Sequence, residues 1–213
     1  MLPALGAGDL SSNLSDPIIQ RSSTRDGMNK EKQLSMILKK IRSFVRSKYN
    51  KTPVPGEGSA NAKVVFIGEA PGAEEDRTGR PFVGRSGKLL TELIETKLEM
   101  QRKDAFITSV LHWRPPNNRK PNKKEIRQSL DFVSEMINVI KPKYIVTLGN
   151  TALNTLIDDK LKVSQVHGSV IPVNHKLFFS TFHPAAGIRS PIKKRKLLEE
   201  DFEKLRKLLA ETE

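Results

Sequence analysis

No cysteine occurs anywhere in the chain. That excludes disulfide bridges, thiolate zinc sites and cysteine-ligated iron–sulfur clusters, and it suits a reducing compartment. Long apolar runs are also missing. None approaches the ~20 residues needed to span a bilayer, so no membrane segment is expected. The N-terminal MLPALGAGDLSSNLSD has neither a basic start nor a long apolar core, which argues against a secretory signal. Asp9 and Asp16 argue against a mitochondrial transit peptide. Acidic residues are the minority, 24 against 37 Lys and Arg, for a formal net charge of +13. A surplus of that size attracts polyanions: nucleic acid, an anionic membrane or an acidic protein. With nothing pointing to a membrane, nucleic acid is the preferred partner.

What is present fits one domain and a tail, since 213 residues fall near the usual domain size. Residues 1–30 are rich in Gly, Ser, Asp and Asn and lack periodicity, so they read as a disordered tail ahead of a domain over 31–213. Leu34, Ile37, Leu38, Ile41, Phe44 and Val45 recur at helical spacing. Pro53, Pro55, Gly56 and Gly58 then break the chain. Four short apolar runs predict buried strands: Val64–Ile67, Phe106–Val110, Tyr144–Leu148 and Leu177–Thr181. Helical stretches lie between them at Ser86–Lys97, Lys123–Ile140 and Thr151–Ile157. A last helix carries Leu197, Leu198, Phe202, Leu205 and Leu209. Alternation of this kind predicts an α/β fold, a three-layer α/β/α sandwich around a four-stranded, mainly parallel sheet. Ligands in such folds bind at the carboxyl ends of the strands.

Four motifs sit just there. Gly68 to Asp76, GEAPGAEED, is a tight loop whose N–H groups can hold anions or the carbonyl oxygens of a base. A polar turn with helix-capping acids is an equal reading. Gly79 to Gly87, GRPFVGRSG, places Phe82 in a Gly- and Arg-rich loop where a base could stack on it. A Phe that merely anchors its loop is the commoner case. Ser109 to Pro121, SVLHWRPPNNRKP, is a stiff basic loop with the only Trp and could touch phosphates; the alternative is a solvated loop with Trp113 in the core. Thr181 to Pro191, TFHPAAGIRSP, offers His183 as a donor to developing negative charge, although a lone His is more often structural. The run Lys193–Lys196 follows, either a DNA contact, a solvated helix face or a nuclear import signal.

Taken together and in this order, GEAPGAEEDRTGRPFVGRSGKLL (68–90), RPPNNRKP (114–121), YIVTLGNTAL (144–153) and TFHPAAGIRSP (181–191) resemble the family 4 uracil-DNA glycosylases. The resemblance runs from about residue 34 to 209. It implies a target nucleotide flipped out of the duplex into a pocket. It implies Glu69 and Glu75 as acidic catalytic positions that stabilise a cationic sugar and orient water, and His183 beside the base oxygen that becomes an oxyanion. Gly68, Ala70, Gly72, Phe82 and Ser109 would contact the base, with Phe82 stacking on it. Gly187, Ile188 and Arg189 would wedge into the gap left in the DNA. Arg114, Arg119, Lys193, Lys194 and Arg195 would meet phosphates.

Two positions depart from that pattern. Ser109 stands where the family typically has an Asn that pairs with uracil, and a hydroxyl makes fewer bonds. The family usually carries a 4Fe–4S cluster, and its four cysteines align with Ile41, Phe44, Trp113 and Ser129. No cofactor and no metal are therefore expected, and Ile41, Phe44 and Trp113 are expected to form a small hydrophobic plug in the same place. The implied activity is hydrolysis of the N-glycosidic bond of uracil in DNA, leaving an abasic site. Glycosylases for hypoxanthine or xanthine, and a lesion-binding protein without catalysis, are the alternatives. A cytoplasmic, DNA-associated monomer completes the expectation.

Overall fold

The computed structural model describes residues 29–211. Residues 1–28 of the expected tail lie outside them, and Lys30 already opens the first helix.

That helix, α1 (Lys30–Tyr49), begins where the Asn29 side chain accepts the Lys32 N–H at 2.9 Å. It ends at Asn50, whose left-handed backbone stops the helix. Leu34, Ile37, Ile41 and Val45 form its buried stripe. After β1 (Glu57–Gly58) comes β2 (Val64–Gly68), then α2 (Ala73–Thr78), α3 (Arg85–Thr96) and β3 (Phe106–Ser109). Helix α4 (Lys123–Ile140) starts in a capping box: Asn122 and Glu125 each accept the other's backbone N–H. Strand β4 (Tyr144–Leu148), α5 (Asn150–Leu156), α6 (Val163–Val166), β5 (Ser169–Val173), β6 (Lys176–Thr181), α7 (Pro184–Arg189) and α8 (Lys193–Ala210) complete the order.

The strands form one sheet in the order β1-β3-β2-β4-β6-β5. Its four central strands are the predicted ones and run parallel, with Val65 opposite Phe106 and Ile145 opposite Phe178. The expected sheet of four thus becomes six, because β1 and β5 add antiparallel edges. Neither edge carries an apolar run. The first is two residues long, and the second is half-exposed and interrupted by Pro172.

Alternate strand residues feed two cores, one per sheet face. Phe66, Val146 and Phe179 meet Leu90, Leu93, Phe202 and Leu205 from α3 and α8. Val65, Ile67, Phe106 and Ile145 meet Ile37, Ile41, Val133 and Ile140 from α1 and α4. The expected three layers follow from this division. Among the described residues no helix is long and apolar enough to cross a membrane.

Candidate functional site

All four motifs converge at the carboxyl ends of the parallel strands. The loop after β2 is held by one carboxylate. Glu75, buried in the first turn of α2, accepts the Gly72 N–H at 3.0 Å on one oxygen and the Val83 and Gly84 N–H groups at 2.8 Å on the other. The loop bearing Gly72 and the loop bearing Phe82 are therefore tied together. Glu69 is half-buried, and its carboxylate accepts a hydrogen bond from the Thr151 hydroxyl at the start of α5.

Phe82 is buried with φ near 50°, a left-handed conformation that a bulky residue keeps only when its surroundings enforce it. Arg102 enforces it. Its guanidinium donates to the Pro81 carbonyl at 2.7 Å, the Phe82 carbonyl at 3.1 Å and the Thr91 hydroxyl at 2.8 Å, and pairs with Glu57 at 2.9 Å. Burial raises the Glu57 carboxyl, but hydrogen bonds from Arg80 and Arg102 outweigh it and hold the group below the usual carboxylate range. The Phe82 ring lies against Gly68: a Cβ added there would stand 2.4 Å from the ring and 3.5 Å from Ser109 Oγ. Gly68, Phe82 and Ser109 thus meet at one spot, and Ser109 is buried.

His183 caps α7 and faces this spot, its ring centroid 5.7 Å from that of Phe82. Its Nδ1 accepts the Ala185 N–H at 3.1 Å. Burial first, and the Arg189 cation second, push its pKa down to about 4, against a weaker opposite pull from Glu75. At neutral pH the imidazole is uncharged. With Nδ1 an acceptor, the proton resides on Nε2, which has no partner among the described residues. The arrangement offers a neutral N–H donor, an aromatic platform and a carboxylate at one strand-end face. Such a set can stack a planar ring and stabilise negative charge on its leaving oxygen.

The remaining predicted residues are placed less uniformly. Ala70 and Gly72 lie half-buried in the first loop. Ile188 and Arg189 continue α7 outward, but Gly187 is buried, where a Cβ would meet Leu198 at 2.8 Å and Leu89 at 3.1 Å. Arg114 donates to Asn118 and stands 3.9 Å from Asp76. Arg119 is paired with Glu125, and Arg195 with Glu92 and Glu199. Lys193 is exposed, and the Lys194 ammonium sits 3.8 Å over the Phe182 ring.

Sequence reading missed Arg102, Thr151 and a buried brace under β6. Asp201 of α8 accepts the Thr181 hydroxyl at 2.7 Å and lies 3.0 Å from His167 Nδ1, fastening the strand end that leads to His183. Their partners are distant in sequence, so no local pattern marks them.

The positions aligned with cluster cysteines form no metal centre. Ile41 belongs to the core on the α1/α4 side, Phe44 packs 6.3 Å from Trp113 between ring centroids, and Ser129 joins through His112, whose Nδ1 is 2.5 Å from its hydroxyl. Two hydrocarbon side chains, an indole and a hydroxyl supply neither thiolate nor imidazole, so these residues do not fit an iron–sulfur cluster. Among the described residues no group of three His, Cys, Asp or Glu could hold a metal ion.

Comparison with known proteins follows the same lines. Residues 55–206 match the Uracil DNA glycosylase superfamily. The type-4 uracil-DNA glycosylase of Sulfurisphaera tokodaii is 39% identical over 191 residues, covering 86% of this chain and 85% of that protein. That of Saccharolobus solfataricus is 43% identical over 171 residues, with 76% and 79% covered. That of Thermotoga maritima is 42% identical over 159 residues, with 73% and 82% covered. The glycine that admits Phe82, the neutral His183 and the carboxylate between two loops are thus features of a chain that belongs to the uracil DNA glycosylase superfamily, in its type-4 group.

Proposed function

We propose that this protein is a uracil-DNA glycosylase of base excision repair, a hydrolase that releases uracil from DNA and leaves an abasic site. The observation that carries the reading is the fixed tautomer of His183, uncharged and with its free N–H on Nε2 beside Phe82. The flipped uracil stacks on Phe82. As the bond between C1′ and N1 breaks, its electron pair moves onto the base and charge grows on a carbonyl oxygen. The His183 Nε2–H stabilises that oxyanion, a role that suits a neutral imidazole. The sugar becomes oxocarbenium-like, and Glu69, held by Thr151, stabilises it and orients the water. Water adds at C1′, its proton balances the uracil anion, and both products leave neutral. Glu75 acts by positioning, since both its oxygens are spent on loop N–H groups.

Phosphate contacts come from Arg189, Lys193 and Arg114, with Arg119, Lys194 and Arg195 reached by exchange of their present partners. Ile188 and Arg189 form the wedge. The enzyme works as an intracellular monomer without an iron–sulfur cluster.

Ser109 favours a second reading, a wider range of deaminated bases, because its hydroxyl makes fewer bonds than an amide. Oligonucleotides carrying one uracil, hypoxanthine or xanthine, treated with the protein and then alkali, separate the cases. Strand cleavage at uracil alone supports the first reading. Cleavage at the purines supports the second. Binding without any cleavage would leave a lesion-binding protein.

A further inference from the structure

The strand-end site leaves one strongly charged surface unused, the outward side of α1. This helix carries seven cationic residues to one anionic, Glu31. Lys40 pairs with Glu135 on α4 and Lys30 donates to the Ile140 carbonyl at 2.8 Å. Lys39, Arg42 and Arg46 do neither. All three are exposed, and none forms an ion pair or hydrogen bond among the described residues. Their spacing of three and four puts them in one stripe, roughly 10 Å long at 1.5 Å per residue. The stripe lies on the flank turned away from α4, which Lys40 and Phe44 occupy.

Its direction matters. Helices α1 and α4 are antiparallel: Lys30 meets the last residue of α4, and the Tyr49 hydroxyl donates to Gln128 near its start. Because α4 begins just after the loop that follows β3, and Tyr49 stacks on Trp113 of that loop, the Arg46 end of the stripe lies toward the carboxyl end of the sheet, the same end that carries Glu69 and His183. Three cations in a row, with no acid paired to them among the described residues, cost self-repulsion that a line of phosphates removes.

We propose that Lys39, Arg42 and Arg46 form a second contact with the DNA backbone, on the stretch flanking the flipped nucleotide. The contact is independent of sequence and of damage. It rests on the reading of the protein as a DNA enzyme, and it adds affinity and reach without entering the chemistry.

The test is the triple variant K39A/R42A/R46A. Alanine is the best helix former and these residues are exposed, so the helix is retained. Binding to a long undamaged duplex is measured against salt. Each lost phosphate contact lowers the slope of log affinity against log salt by about 0.9, so the variant should flatten by two to three units. Single-turnover excision of uracil at saturating enzyme should stay at the wild-type rate. A short strand that only spans the pocket should bind both proteins alike. An unchanged slope on the long duplex overturns the proposal, as does an equal loss on the short strand, which would place the cations in the pocket. Loss of binding to phosphatidylserine vesicles with the DNA slope unchanged overturns it in favour of a membrane surface. If the wild type excises no base yet the variant's slope still falls, the enzymatic reading fails and this contact stands.

Discussion

Trp113 stacks on Tyr49, with ring centroids 4.1 Å apart and planes 20° from parallel. Phe44 closes the group against Tyr49, Trp113 and Phe132. Phe44 and Trp113 of the expected plug therefore meet, with Tyr49 and Phe132 added, and Ile41 belongs to the same core. Trp113→Ala should cost ~3–5 kcal/mol, as large aromatic truncations in cores do. Urea unfolding monitored by circular dichroism measures it. A loss below about 1 kcal/mol would mean that the rings do not hold the segments together.

The plug also fixes the expected appearance of the protein. Purified from iron-replete cells it should be colourless, with no charge-transfer band near ~400 nm and no iron by elemental analysis, because cluster irons need thiolates or imidazoles that these positions lack. Stoichiometric iron in a folded sample would contradict the assignment.

His183→Ala should lose about a hundred- to a thousandfold in single-turnover excision while still binding DNA, since one preorganised donor to an oxyanion is worth ~3–4 kcal/mol. Rapid-quench measurement at saturating enzyme isolates the step. A wild-type rate in this variant would remove His183 from the chemistry.

Acid should weaken the fold through two histidines. Burial pushes His112 down to about 3, and burial with Arg189 pushes His183 down to about 4, from an ordinary 6.5. The unfolded chain then takes up these protons first as the pH falls. Stability from both groups is full above about 6.5 and is lost as the pH drops toward the folded values. Each histidine contributes at most ~1.4 kcal/mol per pH unit in that window. Unfolding free energies between about pH 7 and pH 5 should fall accordingly. The variant H112F/S129A, which removes the His112 proton and its hydroxyl partner, should show a slope shallower by about one proton. An identical slope would place the titration elsewhere.

Arg102→Ala should loosen the Phe82 loop. It leaves Glu57, two carbonyls and the Thr91 hydroxyl short of a donor, a loss of ~1–3 kcal/mol in stability, and it should raise KM more than it lowers kcat. Arg102→Lys should not restore KM, because an ammonium cannot span the carbonyls and the carboxylate together as a planar fork does. Full recovery by Lys would reduce the role of Arg102 to its charge.

Much of the fold was legible because its central strands are buried on both faces and read as unbroken apolar runs. Tyr144–Leu148 and Lys123–Ile140 match their predicted bounds. Strand β5 was not legible: it is half-exposed, holds Pro172 and is defined only by pairing with β6. Short α2 and α7 owe their ends to Gly79 and to the His183–Pro184 step, and carry too few residues for a period. At the site, the places of Gly68 and His183 followed from the strand ends they adjoin, and that of Phe82 from the family motif it belongs to. The pairing of Arg119 with Glu125 and of Arg195 with Glu92 did not, since a basic run shows its charge but not its neighbours. The burial of Gly187, expected in the wedge, depends on Leu89 and Leu198, distant in sequence or on the next helix.

The three N–H groups gathered by Glu75 have a mechanical consequence. Oxygen Oε2 closes the local Gly72 turn, and Oε1 alone fastens the Phe82 turn through two neighbouring amides. Opening of the Phe82 turn therefore frees two amides in a single event while Gly72 keeps its bond. Hydrogen exchange at Val83 and Gly84 should proceed at one common rate, and a product that leaves by this route departs through a gate with one latch.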